Sequence, residues 1–252
     1  MEAISTPSSS KLKILRRYTD LTAAIDFLTH RRLTLLDPAS WDDRNDSHFL
    51  QRFKAMTGAK TVLALCMSSV GETYHHWRVF CGHSSGVCIE FDRRLLLEAV
   101  KHAKGLRKGE VRYMTLDKIK DTELVLRDLP FIKRWAFRHE REYRLIYESE
   151  TAVQAVHFVG VPLAAIRGVT LSPWLPPGLL ASTRDLLNSI PGCAEIRVSR
   201  SELISNEEWK NHADRLLSGH HLAGDPPLNP GGSMRLSTET SPSTDVEPEP
   251  AS

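Results

Sequence analysis

The sequence predicts an α+β fold: a single domain with a mixed or antiparallel sheet, interspersed helices, and a disordered C-terminal tail. Three observations lead there. Apolar runs of strand length and segments with helical apolar spacing follow one another irregularly, without the steady strand–helix alternation of a parallel array. Strand signals crowd together after residue 139, where VQAVHFVGV and IRGVTLS are rich in β-branched residues. No internal repeat is visible, and 252 residues, 41% of them hydrophobic, suffice for one sizeable core.

The elements follow in order. KLKILRRY, residues 11–18, reads as an opening strand. Leu21, Ala24, Ile25 and Leu28 then recur at helical spacing, with Thr19 or Asp20 as cap. A short strand ends at Asp37-Pro38, and a polar loop holding Trp41 leads to a helix marked by Phe49, Leu50, Phe53 and Met56 and closed by Gly58. TVLALCM is short enough for a buried strand. ETYHHWRVF is a helix on which Tyr74 and Trp77, three apart, are expected to pack together. VCIEF is a strand, and Asp92 caps a helix over RRLLLEAVKHAK that Gly105 ends. GEVRYMTL is a further strand, and Thr115 opens a helix that stops before Pro130. HEREYRLIY, residues 139–147, is the next strand. A helix over 178–190, a last strand CAEIRVSR, and a capping box Ser205-Asn-Glu-Glu208 opening a final helix complete the domain.

The domain is expected over residues 11–217, between a disordered stretch at 1–10 and a disordered acidic tail, rich in Pro, Ser and Thr, at 218–252. Residues 219–252 hold one base, Arg235, against Asp225, Glu239, Asp245, Glu247 and Glu249, a charge of −4. Since the whole chain is +2, residues 1–218 carry +6 (2 minus −4). A tail without Phe, Tyr or Trp buries too little to offset the entropy of ordering. A basic body suits a small anionic ligand or nucleotide, and admits nucleic acid. No run approaches the roughly 18–20 apolar residues of a membrane span, so no membrane partner is expected. The polar MEAISTPSSSK has no apolar signal region. Cys66, Cys81, Cys88 and Cys193 form no C-x-x-C pair, which fits a reduced cytoplasmic chain.

Several stretches together resemble a bacterial family called domain of unknown function 2971: RRYTD, LTLLDPASWDDRNDS, ALCMSS, ETYHHWRVF, SSGVCIEF, VRY, LPFIKRWAF, EREYRLIYES and LSPW. They run from about Arg17 to Trp174, and IRVSRSELISNEEWK extends the likeness to Lys210. The resemblance implies a bacterial cytoplasmic protein and no particular activity.

The polar residues that stand out are Glu140, Glu142 and Arg144. On a strand they share one face, roughly 6.6–7 Å from one to the next. The ordinary alternative is a solvent-facing strand of alternating charge. An E-x-E at the head of a strand resembles the catalytic signature of one class of ADP-ribosyltransferases, which use an arginine on the first strand, a serine-bearing strand, then the glutamates. Here the chain order is Arg17, then Ser84 and Ser85 ahead of VCIEF, then Glu140 and Glu142, though the usual S-T-S triplet is absent. That resemblance implies NAD as cofactor. Glu142 would stabilise an oxocarbenium-like ribose, and Glu140 would orient or deprotonate the acceptor. Arg17 would grip the pyrophosphate through its planar fork, and Tyr18, Tyr74 or Trp77 would stack on a ring. Lys133, just ahead of the glutamates, would add an anion contact.

Two other readings stand beside it. Asp42, Asp43 and Asp46, joined by Glu140, Glu142 and Lys133, can hold Mg²⁺ and cut a phosphodiester as a metal-dependent nuclease. Against that, Asp46 or Ser47 suits a helix cap. Adjacent His75 and His76 point about 100° apart and make a poor zinc pair, so no metal ligand is assigned. The third reading is a non-catalytic binding module whose charged residues build a polar core network.

Overall fold

The computed structural model describes residues 13–220. The disorder expected for residues 1–10 lies outside the described residues, as does that expected for 218–252 beyond His220; residues 218–220 are instead the end of a helix. The chain divides into two units, Met1–Ser205 and Asn206–Ser252.

In the first unit the elements are β1 (Ile14–Asp20), α1 (Leu21–His30), β2 (Arg32–Leu36), α2 (Arg44–Thr57), β3 (Thr61–Ser68), α3 (Tyr74–Phe80), β4 (Gly86–Asp92), α4 (Arg93–Ala99), β5 (Leu106–Glu110), β6 (Arg112–Met114), α5 (Leu116–Lys120), β7 (Ile132–Arg134), β8 (Glu142–Ser149), β9 (Val156–Gly160), β10 (Ile166–Leu171), α6 (Leu180–Ser189) and β11 (Val198–Arg200). Nine of these strands form one mixed sheet in the order β11-β10-β4-β1-β3-β2-β9, with β8 on β3 and β5 on β8. The β10–β11 pairing is parallel and the sheet's other pairings are antiparallel. β6 and β7 form a separate parallel pair. The α+β expectation is met.

The helices begin where short polar side chains satisfy free N–H groups. Asp20 caps α1, Asp43 caps α2, Thr73 caps α3 and Asp92 caps α4. Gly58, at φ 69°, ends α2. β3 is buried on both sides, and its alternation shows why. Leu63, Leu65 and Met67 join the main core with Phe27 and Leu28 of α1, Leu96 of α4 and Leu187 of α6. Val62 and Ala64 pack with Ile146 against Leu50 and Phe53 of α2. A third cluster holds Tyr18, Trp77 and Cys88 under α3. No described helix is long and apolar enough to cross a membrane.

Several expectations need correction. The helix from Arg93 stops at Ala99, and Gly105 (φ +73°) serves the entry to β5 instead. A Cβ there would meet the Glu148 carbonyl oxygen at 2.6 Å, so β5 approaches β8 this closely only over a glycine. The helix from Thr115 ends at Lys120, where the Thr122 hydroxyl donates to the Lys118 carbonyl. GEVRYMTL splits into β5 and β6, which belong to different sheets. The last strand shortens to Val198–Arg200. Tyr74 and Trp77 do not pack together: Tyr74 meets Trp174, while Trp77 lies edge-on to Tyr18. The second unit contributes α7 (Glu207–His220), at whose start the Asn206 side chain accepts from the Trp209 N–H at 2.7 Å.

Candidate functional site

β1 and β3 touch at one register point, Arg16 opposite Ser68. Beyond it they part. β1 stays paired with β4 along its whole length, and β3 stays paired with β8. A pocket occupies the parting. Its walls are Arg16, Arg17 and Tyr18 from β1, Cys66, Met67 and Ser68 from β3, Phe80 from α3, and the two glutamates Glu140 and Glu142. Its cavity is about 20 Å³, and a buried water needs roughly 10–15 Å³.

β8 begins at Glu142, one residue past Arg141, which sits in the left-handed region at φ 47°. Glu140 therefore ends a 3-10 turn, Trp135–Glu140, and is not on the expected strand. The turn is fixed from several sides. The Glu140 carbonyl accepts from Ser68 Oγ at 2.9 Å and pairs with His76 Nε2 at 3.2 Å. The Arg141 carbonyl accepts from both the N–H and the hydroxyl of Ser69. The Glu142 N–H donates to the Tyr113 hydroxyl at 2.8 Å.

The carboxylates do not face water. Glu140, Glu142, Lys133, Arg144 and Asp46 are all buried and form one network. Lys133 Nζ lies 2.6 Å from Glu140 Oε2, 2.8 Å from Glu142 Oε1 and 3.7 Å from Asp46 Oδ2. Arg144 donates through Nε to Glu142 Oε2 at 2.7 Å and through its fork to both oxygens of Asp46. It also caps the Pro130 carbonyl at 3.0 Å. Asp46 is thus an ion-pair partner, not the helix cap; Asp43 does the capping. Alternation on β8 does put Glu142 and Arg144 on one face, as the sequence implies, and β3 presents Cys66 and Ser68 opposite them.

Three acids meet two bases, so one negative charge lacks a partner within the cluster. Burial, and a hydrogen bond with Glu142, raise the Glu140 carboxyl to about 8. Burial also works against ionisation of Glu142, but Arg144 and Lys133 outweigh it and hold that carboxyl down to about 2. Burial pushes Asp46 upward despite Arg144. The result is one neutral and one ionised carboxyl side by side.

That difference predicts a pH dependence. A folded state that keeps the Glu140 proton up to about 8, against an ordinary value of 4.5, binds it more tightly than the unfolded chain. Its stabilising contribution is full below pH 4.5 and is lost as pH rises through 8. Melting temperatures at pH 5 and pH 8.5 should differ by more in the parent than in Glu140→Gln. An equal difference in the two proteins counts against the assigned proton.

Arg17 is the other notable charge. Its Nη1 donates to the Cys66 carbonyl across the strand gap at 3.0 Å. Among the described residues no carboxylate lies within ion-pair reach of it, whereas neighbouring Arg16 is paired with Glu90 at 2.9 Å. Burial lowers its pKa. The Tyr18 hydroxyl is buried without a well-formed partner.

Of the candidate residues, Arg17, Tyr18, Glu140 and Glu142 come together around the pocket, and Lys133 joins the glutamates. Ser84 and Ser85 are exposed in the loop before β4 and do not line it. Its serine is Ser68, at the end of ALCMS, which sequence spacing alone does not single out. Trp77 is fully buried with its ring N–H on Glu72, and Tyr74 is exposed beside Trp174. Asp42 is exposed, and among the described residues no group of three or more His, Cys, Asp or Glu is placed to hold a metal.

The segment from within α3 through the first half of β8 carries much of this geometry. Residues 76–145 match the model of the family described as Protein of unknown function (DUF2971). The match includes Lys133, Glu140, Glu142 and Arg144 and agrees with the resemblance read from the motifs. No curated protein matches the sequence. Among solved structures, the chain is similar to DarT from Thermus sp. 2.9 in complex with ADP-ribosylated ssDNA: 11% identity, TM-score 0.41, covering 76% of this chain and 95% of that one. The same protein in complex with carba-NAD+ gives 10%, 0.39, 76% and 97%. Its complex with NAD+ gives 9%, 0.39, 76% and 96%. These superpositions are too loose to carry an activity across.

Proposed function

We propose that the chain is a cytoplasmic, ADP-ribosyltransferase-like enzyme using NAD, with its site at the parting of β1 and β3. The supporting observation is the unpaired Arg17 guanidinium in the same small pocket as an ionised and a neutral glutamate. Paired carboxyls whose environments push their pKa values apart divide acid–base labour. Arg17 has N–H donors left for an anion such as a pyrophosphate. The orphaned Tyr18 hydroxyl offers a further polar contact. Ionised Glu142 opposes the positive charge that builds on ribose as the nicotinamide bond breaks. A dinucleotide far exceeds 20 Å³, so its binding must widen the gap that the Arg16–Ser68 bridge closes.

One observation favours a second reading. Both Glu142 oxygens are already engaged, by Lys133 and Arg144, as a structural network would have them. The protein is then a binding module in which Arg17 still takes an anion but nothing is cleaved. For the nuclease the support is weaker, since Asp43 caps α2 and Asp46 pairs with Arg144.

Calorimetry with NAD and a nicotinamide-release assay separate the readings. Arg17→Lys keeps the charge and loses the planar fork. Charge-assisted hydrogen bonds of this kind contribute roughly 1.5–3 kcal/mol, so NAD affinity should fall about ten- to hundred-fold. Unchanged affinity removes Arg17 from the site. Binding without nicotinamide release selects the binding module.

A further inference from the structure

The two adjacent histidines of α3 have opposite environments. His76 is buried, stacked on Tyr18 with ring centroids 5.1 Å apart. Its Nε2 bonds the Glu140 carbonyl and must carry the proton, because a carbonyl only accepts. Its Nδ1 then accepts from the Thr73 hydroxyl at 2.7 Å. Both nitrogens are used, burial keeps the ring neutral, and His76 is a brace for the Glu140 turn. His75 is different. Its side chain is 49% exposed, and its Nε2 lies 3.5 Å from Glu140 Oε1, the carboxyl oxygen that Lys133 does not hold. Glu140 itself is 2% exposed and lines the pocket.

We propose that His75 and Glu140 act as one proton-carrying pair at the pocket mouth, taking the proton from the incoming acceptor, with His75 as the member that passes it to solvent. This rests on the NAD-cleaving reading above and adds a catalytic residue to it. The charge count supports the pair. Asp46, Glu140 and Glu142 exceed Lys133 and Arg144 by one, so the cluster balances with one further proton, and His75 is the exposed group in contact with Glu140. The charged and titratable groups around the pair are Lys133 on β7, Glu142 on β8, Tyr113 on β6 and His76 on α3 itself. Burial raises the Glu140 proton affinity toward neutral pH, where a general base is most effective.

The step balances without another reactant. The acceptor oxygen forms a bond to the ribose carbon, and the bond from that carbon to nicotinamide breaks. Nicotinamide leaves neutral with the bonding pair. The pair first gives up its shared proton to water; the acceptor's O–H proton then passes to it and is released to water in turn.

The test uses the full chain, NAD, and two nucleophiles: water, which must lose a proton, and azide, which has none to lose. His75→Gln keeps a hydrogen-bonding group near Glu140 but has no basic nitrogen. Hydrolysis should fall about 100-fold, within the range usual for a general base. Azide attack should continue at the parent rate, and the rising limb of the pH–rate profile for hydrolysis should disappear. Equal losses with both nucleophiles, or no loss with either, overturn the pair while leaving the NAD reading standing. A parent chain that releases no nicotinamide under either condition overturns the NAD reading and the pair together.

Discussion

If the chain cleaves NAD as proposed, Glu142→Gln is expected to lower that turnover by about 10²–10³-fold while leaving the chain folded. The two effects separate because of the charge count. Glu142 is the carboxyl held down to about 2, so it carries full charge wherever the protein is folded, and the amide removes it. On the proposed reading, a transition state with a positively charged ribose then loses the counter-charge that Glu142 supplies. A single lost charge in a buried ion network would ordinarily cost several kcal/mol. Here Glu140 holds a spare proton, and with Glu142 neutral it can ionise against Lys133 at 2.6 Å. Two acids then face two bases. The melting temperature should therefore drop modestly. The double variant Glu140→Gln/Glu142→Gln has no such reserve: Asp46 alone faces Lys133 and Arg144, and stability should fall well beyond the sum of the single changes. Nicotinamide release and thermal melting on the three variants read both quantities. Full turnover in Glu142→Gln would sink the transferase reading and leave a structural network.

How much of this was legible before the structure depends on distance along the chain. The Glu142–Arg144 contact follows from strand alternation, a two-residue rule that the sequence carries directly. Lys133 was within reach of notice because it lies nine residues from Glu142. Asp46 was not, since its bond to Arg144 spans 98 residues and locally it sits where a helix cap is expected. The cap signal at Asp43 and the ion-pair signal at Asp46 look alike as letters; only burial tells them apart. Glu140 meets Lys133 from outside the expected strand. The left-handed Arg141 delays the start of the strand to Glu142, yet the 3-10 turn before it returns the Glu140 carboxyl to Lys133. Ser68 was missed because register decides it. Three strands, β1, β3 and β8, align Arg16, Ser68 and Glu142 in one row, and no local pattern announces which serine that will be. The α+β class was readable because it needs only the types and order of elements. The split between β1 and β3, where the pocket forms, needs the pairings themselves.

Arg144→Met should cost roughly 3–5 kcal/mol, the largest single loss of stability expected here. The guanidinium is fully buried, grips both oxygens of Asp46, holds Glu142 Oε2 and satisfies the Pro130 carbonyl. Methionine fills similar apolar volume against Trp41, whose ring lies 5.1 Å from the guanidinium carbon, so the loss reports charge and hydrogen bonds more than cavity. What remains is three acids around Lys133. Burial then raises Glu142 as it already raises Glu140 and Asp46, because Arg144 is the strongest influence opposing it. The sign of the pH effect reverses accordingly. Parent stability from Glu142 is present above pH 4.5 and is lost as pH falls through 2. The variant should instead gain stability on acidification, as its unpaired carboxyls take up protons. Adding Asp46→Leu removes one orphaned charge and should recover much of the loss, giving a coupling energy between the two sites well above 1 kcal/mol in a double-mutant cycle. Urea melts of the four proteins at pH 5 and pH 7.5 measure it. If Arg144→Met loses less than about 0.5 kcal/mol, or the two changes simply add, the network does not hold the floor of the pocket and the positioning of Glu142 needs another cause.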